Sequence, residues 1–282
     1  MVNFGDALRK GLVFCIEPKR WLPLFILDIA ALGIVLGAFL SNIDSMMSGL
    51  VEAESNPLAM MPLTGLIAGF LVLGAVWFIL RMWITGSLVH QSFRPREFEN
   101  GFRLSFSKLP RIIVAVILTS VISGLLSSIP WVGWVISIFI GLAFFFMVQG
   151  IILDDLGAIS TLKGSWNFFR KSPFDVFIAW LLIAIISSLI LLVFAIPILS
   201  LFIGMFMSNA VAGTMEAGGM VLMLMYLQNN LTTVVVFGVI ALLGMEFSQV
   251  FSTKAQTEFY LQLRKGFPSI IKAFARKKGR FF

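Results

Sequence analysis

The sequence predicts an all-α integral membrane protein: six transmembrane helices with short amphipathic interfacial helices on the cytoplasmic face. Three observations predict it. The chain is 59% hydrophobic and only 12% charged, about half the charged fraction of a soluble domain. Its apolar residues fall in blocks of about 20, the length of helix that crosses a bilayer core. Its 21 lysines and arginines all lie towards one side of those blocks. In hydrocarbon a helix pairs every backbone N–H and C=O within one segment. A β-barrel would need short strands alternating apolar and polar residues, and none is present.

The spans read 21–41, 63–89, 111–129, 131–153, 174–203 and 231–253. The fifth contains Pro197, which predicts a kink or tilt. "SSIPWVGW" (127–134) reads as a tight outer turn, with Trp131 and Trp134 suited to the interface. The N-terminal stretch "MVNFGDALRKGLVF" does not read as a signal peptide, because Asp6, Arg9 and Lys10 break its apolar residues.

The cations set the orientation. Arg9, Lys10, Lys19 and Arg20 precede span one, and Arg94, Arg96, Arg103, Lys108 and Arg111 separate spans two and three. Lys163, Arg170 and Lys171 separate spans four and five, and the remaining lysines and arginines follow span six, apart from Arg81 near the inner end of span two. The outer loops 42–62 and 204–230 hold no lysine or arginine and carry Asp44, Glu52, Glu54 and Glu216. The positive-inside rule then predicts a multi-pass protein of the cell membrane with both termini cytoplasmic. The net charge of +7 arises from this inner lining, which would attract anionic headgroups by about 1 kcal/mol per residue. The tail, 261–282, carries Lys272, Arg276, Lys277, Lys278 and Arg280 among aromatics. On a membrane domain it reads as a headgroup-binding tail, and no nucleic-acid partner is expected.

The inner segments repeat a pattern: "LRKGL" (8–12), "FRLSF" (102–106) and "LKGSW" (162–166) each read apolar, basic, any, small, apolar. Phe4, Leu8 and Leu12 share one helical face, as do Phe98, Phe102 and Phe106, and Ile159, Leu162, Trp166 and Phe169. Pro18, Pro110 and Pro173 follow as expected helix stops. The pattern predicts a domain, 1–260, of three units (about 1–89, 90–153 and 154–253), each an interfacial helix with two spans, around a pseudo-threefold axis. Gly11, Ser105 and Ser165 would let a neighbouring helix approach closely. The competing reading is that any interfacial helix shows so loose a pattern.

"ILDDLGAISTLKGSWNFFRKSPFDVF" (152–177) ends a span on acidic residues, then runs through a small-rich helix with a Ser-Trp pair into the next span. It resembles the membrane domain found with glycerophosphodiester phosphodiesterases, and related six-span archaeal and bacterial membrane proteins. The six-span layout extends the likeness. The phosphodiesterase catalytic domain has no counterpart here, so the resemblance implies a membrane module without chemistry of its own.

Asp154 and Asp155 stand where span four meets the third amphipathic helix. Carboxylates there are expected to cap that helix's free N–H groups; the alternative is a cation or partner site at the inner mouth. Asp28, Arg81, Gln149, Glu246 and Gln249 fall at similar depth and are expected to form an inner polar layer. Arg81 paired with Asp28 or Glu246 would brace the spans, and an ion or proton relay is the sharper alternative. Met205, Met207, Met223 and Met225 have the Met-x-Met spacing of a soft-metal site for Cu(I). Apolar filler is the simpler reading, since no cysteine or histidine accompanies them.

One cysteine, Cys15, and one histidine, His90, allow no internal disulfide and no Cys/His metal cluster, and no Ser-His or Cys-His pair of familiar spacing is present. No cofactor is expected and an enzyme acting on lipid is the least favoured function. The favoured one is a non-enzymatic membrane module that organises lipid or docks partners at the cytoplasmic face. A homo-oligomeric channel or transporter for ions or small solutes, using the inner polar layer, is the alternative.

Overall fold

A computed structural model describes residues 2–42, 61–129, 131–211 and 229–266, with backbone alone at 61–63, 134, 205, 206 and 208–211. The fold is 91% helical, with no strand among the described residues. In chain order the helices are α1 (Phe4–Ile16), α2 (Pro18–Ser41), α3 (Met61–Phe93), α4 (Phe98–Ser127), α5 (Gly133–Ala143), α6 (Met147–Asp154), α7 (Ala158–Lys171), α8 (Pro173–Val211) and α9 (Leu231–Gly266). Six stretches are long and apolar enough to cross a membrane: Pro18–Ser41, Thr64–Phe93, Phe98–Ser127, Val135–Asp154, Pro173–Gly204 and Leu231–Gly266.

Several boundaries differ from the sequence reading, each for a local reason. Pro18 and Pro173 do separate helices, standing first in α2 and α8, where the missing N–H costs nothing. Pro110 does not stop a helix; it lies inside α4. The carbonyl it leaves without a donor belongs to Phe106, four residues back, and both residues are exposed, so that carbonyl faces outward. Pro197 lies inside the continuous α8. The helix of the sixth span is longer than the apolar run 231–253: α9 runs on to Gly266, into the segment read as tail. Trp131 takes φ 67 and is almost fully exposed in the turn between α4 and α5.

The fourth span is two helices, not one. Between α5 and α6 the chain turns at Phe144–Phe146. The groups this turn frees are taken by side chains: Phe146 N donates to Ser165 Oγ at 3.2 Å, and Gln256 Nε2 donates to the Phe145 carbonyl. The Phe146 ring lies 5.7 Å from Tyr260 and 6.3 Å from Phe168. The run "GLAFFFMVQG" gives no sign of a break, because what permits it lies on α7 and α9.

The chain packs as two compact units, each assembled from distant segments: the described residues of Met1–Trp21, Arg81–Ser188 and Ser248–Phe282, and Leu22–Leu80 with Leu189–Phe247. The three consecutive units read from the sequence do not coincide with this division. In the second unit Trp77 Nε1 donates to Asp28 Oδ1 at 2.7 Å, tying α2 to α3. The Phe194 and Phe247 rings stack at 5.7 Å, tying α8 to α9. The first unit has a core of Val89, Ile112, Ala115, Met147, Ile151 and Leu162. It also holds the amphipathic helices and the basic ends of the spans.

Candidate functional site

In the first unit, each amphipathic segment approaches a span through a row of small residues. On α1, Ala7 and Gly11 are buried, and a Cβ on Gly11 would stand 3.0 Å from the Phe251 ring and 3.3 Å from Ala255 of α9. On α4, Gly101 and Ser105 are buried, and Ser105 Oγ donates to the Trp83 carbonyl of α3 at 2.6 Å. On α7, Thr161 and Ser165 are buried, and Thr161 Oγ1 donates to the Met147 carbonyl of α6 at 2.9 Å. Gly11, Ser105 and Ser165 thus each sit at a close approach, with a second small residue one turn earlier. The segments meet spans six, two and four in turn. The larger apolar residues lie to the side: Phe106, Ile159 and Trp166 are exposed, while Phe102 and Phe106 edge onto Trp83 at 5.6 and 6.0 Å.

Around these contacts runs a charged network at the basic ends of the spans. Arg20 is buried, with 1% of its surface exposed. Its Nη1 donates to Gln91 Oε1, its Nη2 to the Pro95 carbonyl and its Nε to Glu17 Oε2, each at 3.0 Å. Its guanidinium lies 4.7 Å from the centre of the Phe14 ring. Lys254 of α9 donates to the Ser92 carbonyl at 2.6 Å and pairs with Glu258 at 2.6 Å. Lys108 of α4 donates to the Ile152 carbonyl at 3.0 Å and the Ile151 carbonyl at 3.3 Å. Lys254 and Lys108 therefore place buried cations on the free carbonyls that end α3 and α6, where the helix dipole is negative. The sequence reading missed these residues. The available signal was a cation directly beside a span end; which cations turn inward depends on tertiary contacts.

Asp154 and Asp155 do not cap α7. Its N-cap is Gly157, with no side-chain cap; Asp154 ends α6, and Asp155 is its C-cap at φ 52. The left-handed turn sends the two carboxylates to different partners. Asp154 accepts from the Tyr260 hydroxyl and pairs with Arg264 at 2.6 Å, joining α6 to α9. Asp155 pairs with Arg111 at 2.7 Å and with Lys108 at 3.5 Å, joining it to α4. The pair of aspartates is a branch point between two helices.

The members of the expected polar layer fall in the two units: Asp28 and Glu246 in one, Arg81, Gln149 and Gln249 in the other. Asp28, Gln149 and Glu246 are buried. The Gln149 amide oxygen has no hydrogen-bond partner among the described residues. The Gln249 carbonyl accepts from Thr253 Oγ1 at 2.8 Å. Of the methionines, Met207 is exposed on α8; the Met205 side chain, Met223 and Met225 lie outside what is described. No group of three or more His, Cys, Asp or Glu that could hold a metal occurs among the described residues. Lys272, Arg276, Lys277, Lys278 and Arg280 also lie outside the described residues.

Burial pushes the Cys15 thiol up to about 11, so it is not a thiolate nucleophile near neutrality. On α1, a hydrogen bond from Lys10 holds Asp6 below its ordinary 3.8, and the same bond raises Lys10 above 10.5. Lys10 pairs with Asp6 at 2.7 Å and reaches Glu258 of α9 at 3.3 Å. The depressed acid contributes stability above pH 3.8 that fades as pH falls through its folded value. The raised base contributes below pH 10.5 and is lost above its folded value. The protection factors of amides 5–15, each rate being taken relative to the unstructured rate at the same pH, are therefore expected to be flat between those limits and to fall outside them. A fall in protection near neutral pH would refute this account of how α1 is held.

Comparison with family models, with curated proteins and with solved structures finds no match to this chain.

Proposed function

We propose that the chain is a non-enzymatic multi-pass membrane module whose basic face, on the cytoplasmic side of the cell membrane, gathers anionic lipid headgroups and docks partners there. One observation carries the reading: most acids of this face are paired within the network, and among the described residues five unpaired cations are left over against two unpaired acids, Glu99 and Asp175, beside exposed apolar side chains. Arg96, Arg103, Lys163, Arg170 and Lys265 are exposed and have no acidic partner among the described residues. Beside them Phe106, Ile159, Trp166 and Phe174 are exposed. A helix that offers apolar side chains and cations together suits the headgroup boundary of a bilayer. The likeness of residues 152–177 to the membrane domain accompanying glycerophosphodiester phosphodiesterases supports a module without catalysis of its own.

The test is lipid enrichment around the full chain in membranes of mixed neutral and anionic lipid. The wild type is expected to retain anionic lipid through purification. Replacing Arg96, Lys163, Arg170 and Lys265 together by Gln is expected to lower that enrichment by about fivefold for each charge that meets a headgroup, at about 1 kcal/mol per charge, without unfolding the protein. Equal enrichment in the two proteins would overturn the reading. The second reading, a homo-oligomeric channel or transporter, is favoured by the buried Asp28, Gln149 and Glu246 in spans, since polar groups there are costly to keep. Flux of ions or small solutes through reconstituted wild type, lost on Glu246→Gln, would select it.

A further inference from the structure

Where α3 hands over to α4, a cavity of about 420 Å³ is lined by His90, Arg94, Glu97, Asn100, Arg103 and Ser107, together with Leu104. Its size falls within the range of small-ligand sites, about 300–1,000 Å³. We infer that this cavity binds a phosphate group, carried by a lipid headgroup or by a small phosphate ester. The inference deepens the reading of the basic face and rests on it for the side of the membrane to which the cavity opens.

The lining is built for an anion, and one acid positions it. Glu97 accepts from Arg94 Nη1 at 3.0 Å and lies 3.3 Å from His90 Nε2. Burial acts to raise the Glu97 carboxyl, but the hydrogen bonds from His90 and Arg94 outweigh it and hold the group below its ordinary 4.5. Glu97 is thus occupied by two of the cavity's own donors. Arg103 has no acidic partner among the described residues, so the fixed charges of the lining sum to a positive value. His90 is 8% exposed, and only its Nε2 is engaged among the described residues. Asn100, Arg103, Leu104 and Ser107 share one face of α4 by their three- and four-residue spacing. The N-cap of α4, Glu97, makes no side-chain cap bond, so the first N–H groups of this long helix add to the positive potential. Guanidinium geometry favours phosphate through paired N–H donors.

His90 is the only histidine, so its imidazole is a unique reporter. The full chain, labelled at histidine, is titrated in neutral detergent with inorganic phosphate, and separately placed in phosphatidylcholine nanodiscs with and without phosphatidic acid. The His90 resonance is expected to shift and saturate in one arm or the other: the phosphate arm alone marks a soluble ester, the phosphatidic acid arm alone or first marks a headgroup. Arg103→Gln is expected to weaken that binding about tenfold, the loss of one charge-assisted contact; Glu97→Gln, which removes a negative charge from the lining, is expected to strengthen it. Lys163→Gln with Arg170→Gln, outside the cavity, is expected to leave it unchanged. No shift in either arm, no effect of Arg103→Gln, or an equal effect of the distant pair overturns the inference. If His90 stays silent while anionic lipid remains enriched around the protein, the cavity fails and the face reading survives. If enrichment is absent while His90 titrates, the face reading fails alone.

Discussion

Arg20→Ala is expected to lower stability in detergent by about 3 kcal/mol, seen as a lower unfolding temperature of the purified protein. The guanidinium is the best-buried cation among the described residues, and its hydrogen bonds run to three separate groups. Removing it leaves the buried Gln91 amide oxygen without its donor, at about 1–3 kcal/mol; the Pro95 carbonyl belongs to an exposed residue, so water can replace its donor. It also strips the contact over Phe14, worth about 1 kcal/mol. The Glu17 pair adds little, since Glu17 is 42% exposed and water can replace the partner. Arg20→Lys keeps the charge but not the fork, and is expected to recover only part of the loss. An unfolding temperature for Arg20→Ala equal to that of the wild type would remove Arg20 from the framework of this face. Because Arg20 ties the α1–α2 junction to the end of α3, lipid enrichment should fall along with stability.

Gly150→Ala is the second large effect. A Cβ at Gly150 would stand 2.2 Å from Thr161 Oγ1, so α6 and α7 would have to separate. Overpacking of this kind costs about 1–3 kcal/mol. Thr161→Ala alone loses the bond to the Met147 carbonyl, made at 2.9 Å, for about 1 kcal/mol. The double variant removes the clashing oxygen, so its cost is expected to be below the sum of the two single costs. Additive costs across that cycle would mean the two helices do not meet at this point.

Much of the fold was legible because its cause is local to each segment. A span announces itself by length and hydropathy alone, so six were countable without knowing any neighbour. The amphipathic segments were legible for the same reason, as were Gly11, Ser105 and Ser165, since a small residue in a repeated frame is visible in the chain. The companions Ala7, Gly101 and Thr161 stand one turn earlier in the same frame and were within reach of that argument. The site was far less legible. Asp154 and Asp155 were visible as a charged pair, yet read as caps, because the left-handed turn at Asp155 and the positions of Arg264 and Arg111 are not written near them. His90 passed as a lone histidine at a span end until Glu97, Arg94 and the opening of α4 stood beside it.

The sequence by itself determined that this chain is a six-span helical membrane protein with a basic side. Those properties follow from the transfer of apolar surface out of water and from the obligation to pair backbone groups in hydrocarbon, which each segment meets alone. Only the tertiary structure decided which cations are spent inside the protein and which stay exposed. Arg20, Lys108 and Lys254 are buried on carbonyls and carboxylates contributed by other helices, while Arg103 and Lys163, the same residue types in similar segments, stay exposed. A buried charge is tolerated only where distant groups converge to replace its water, and that convergence is a property of the packed chain.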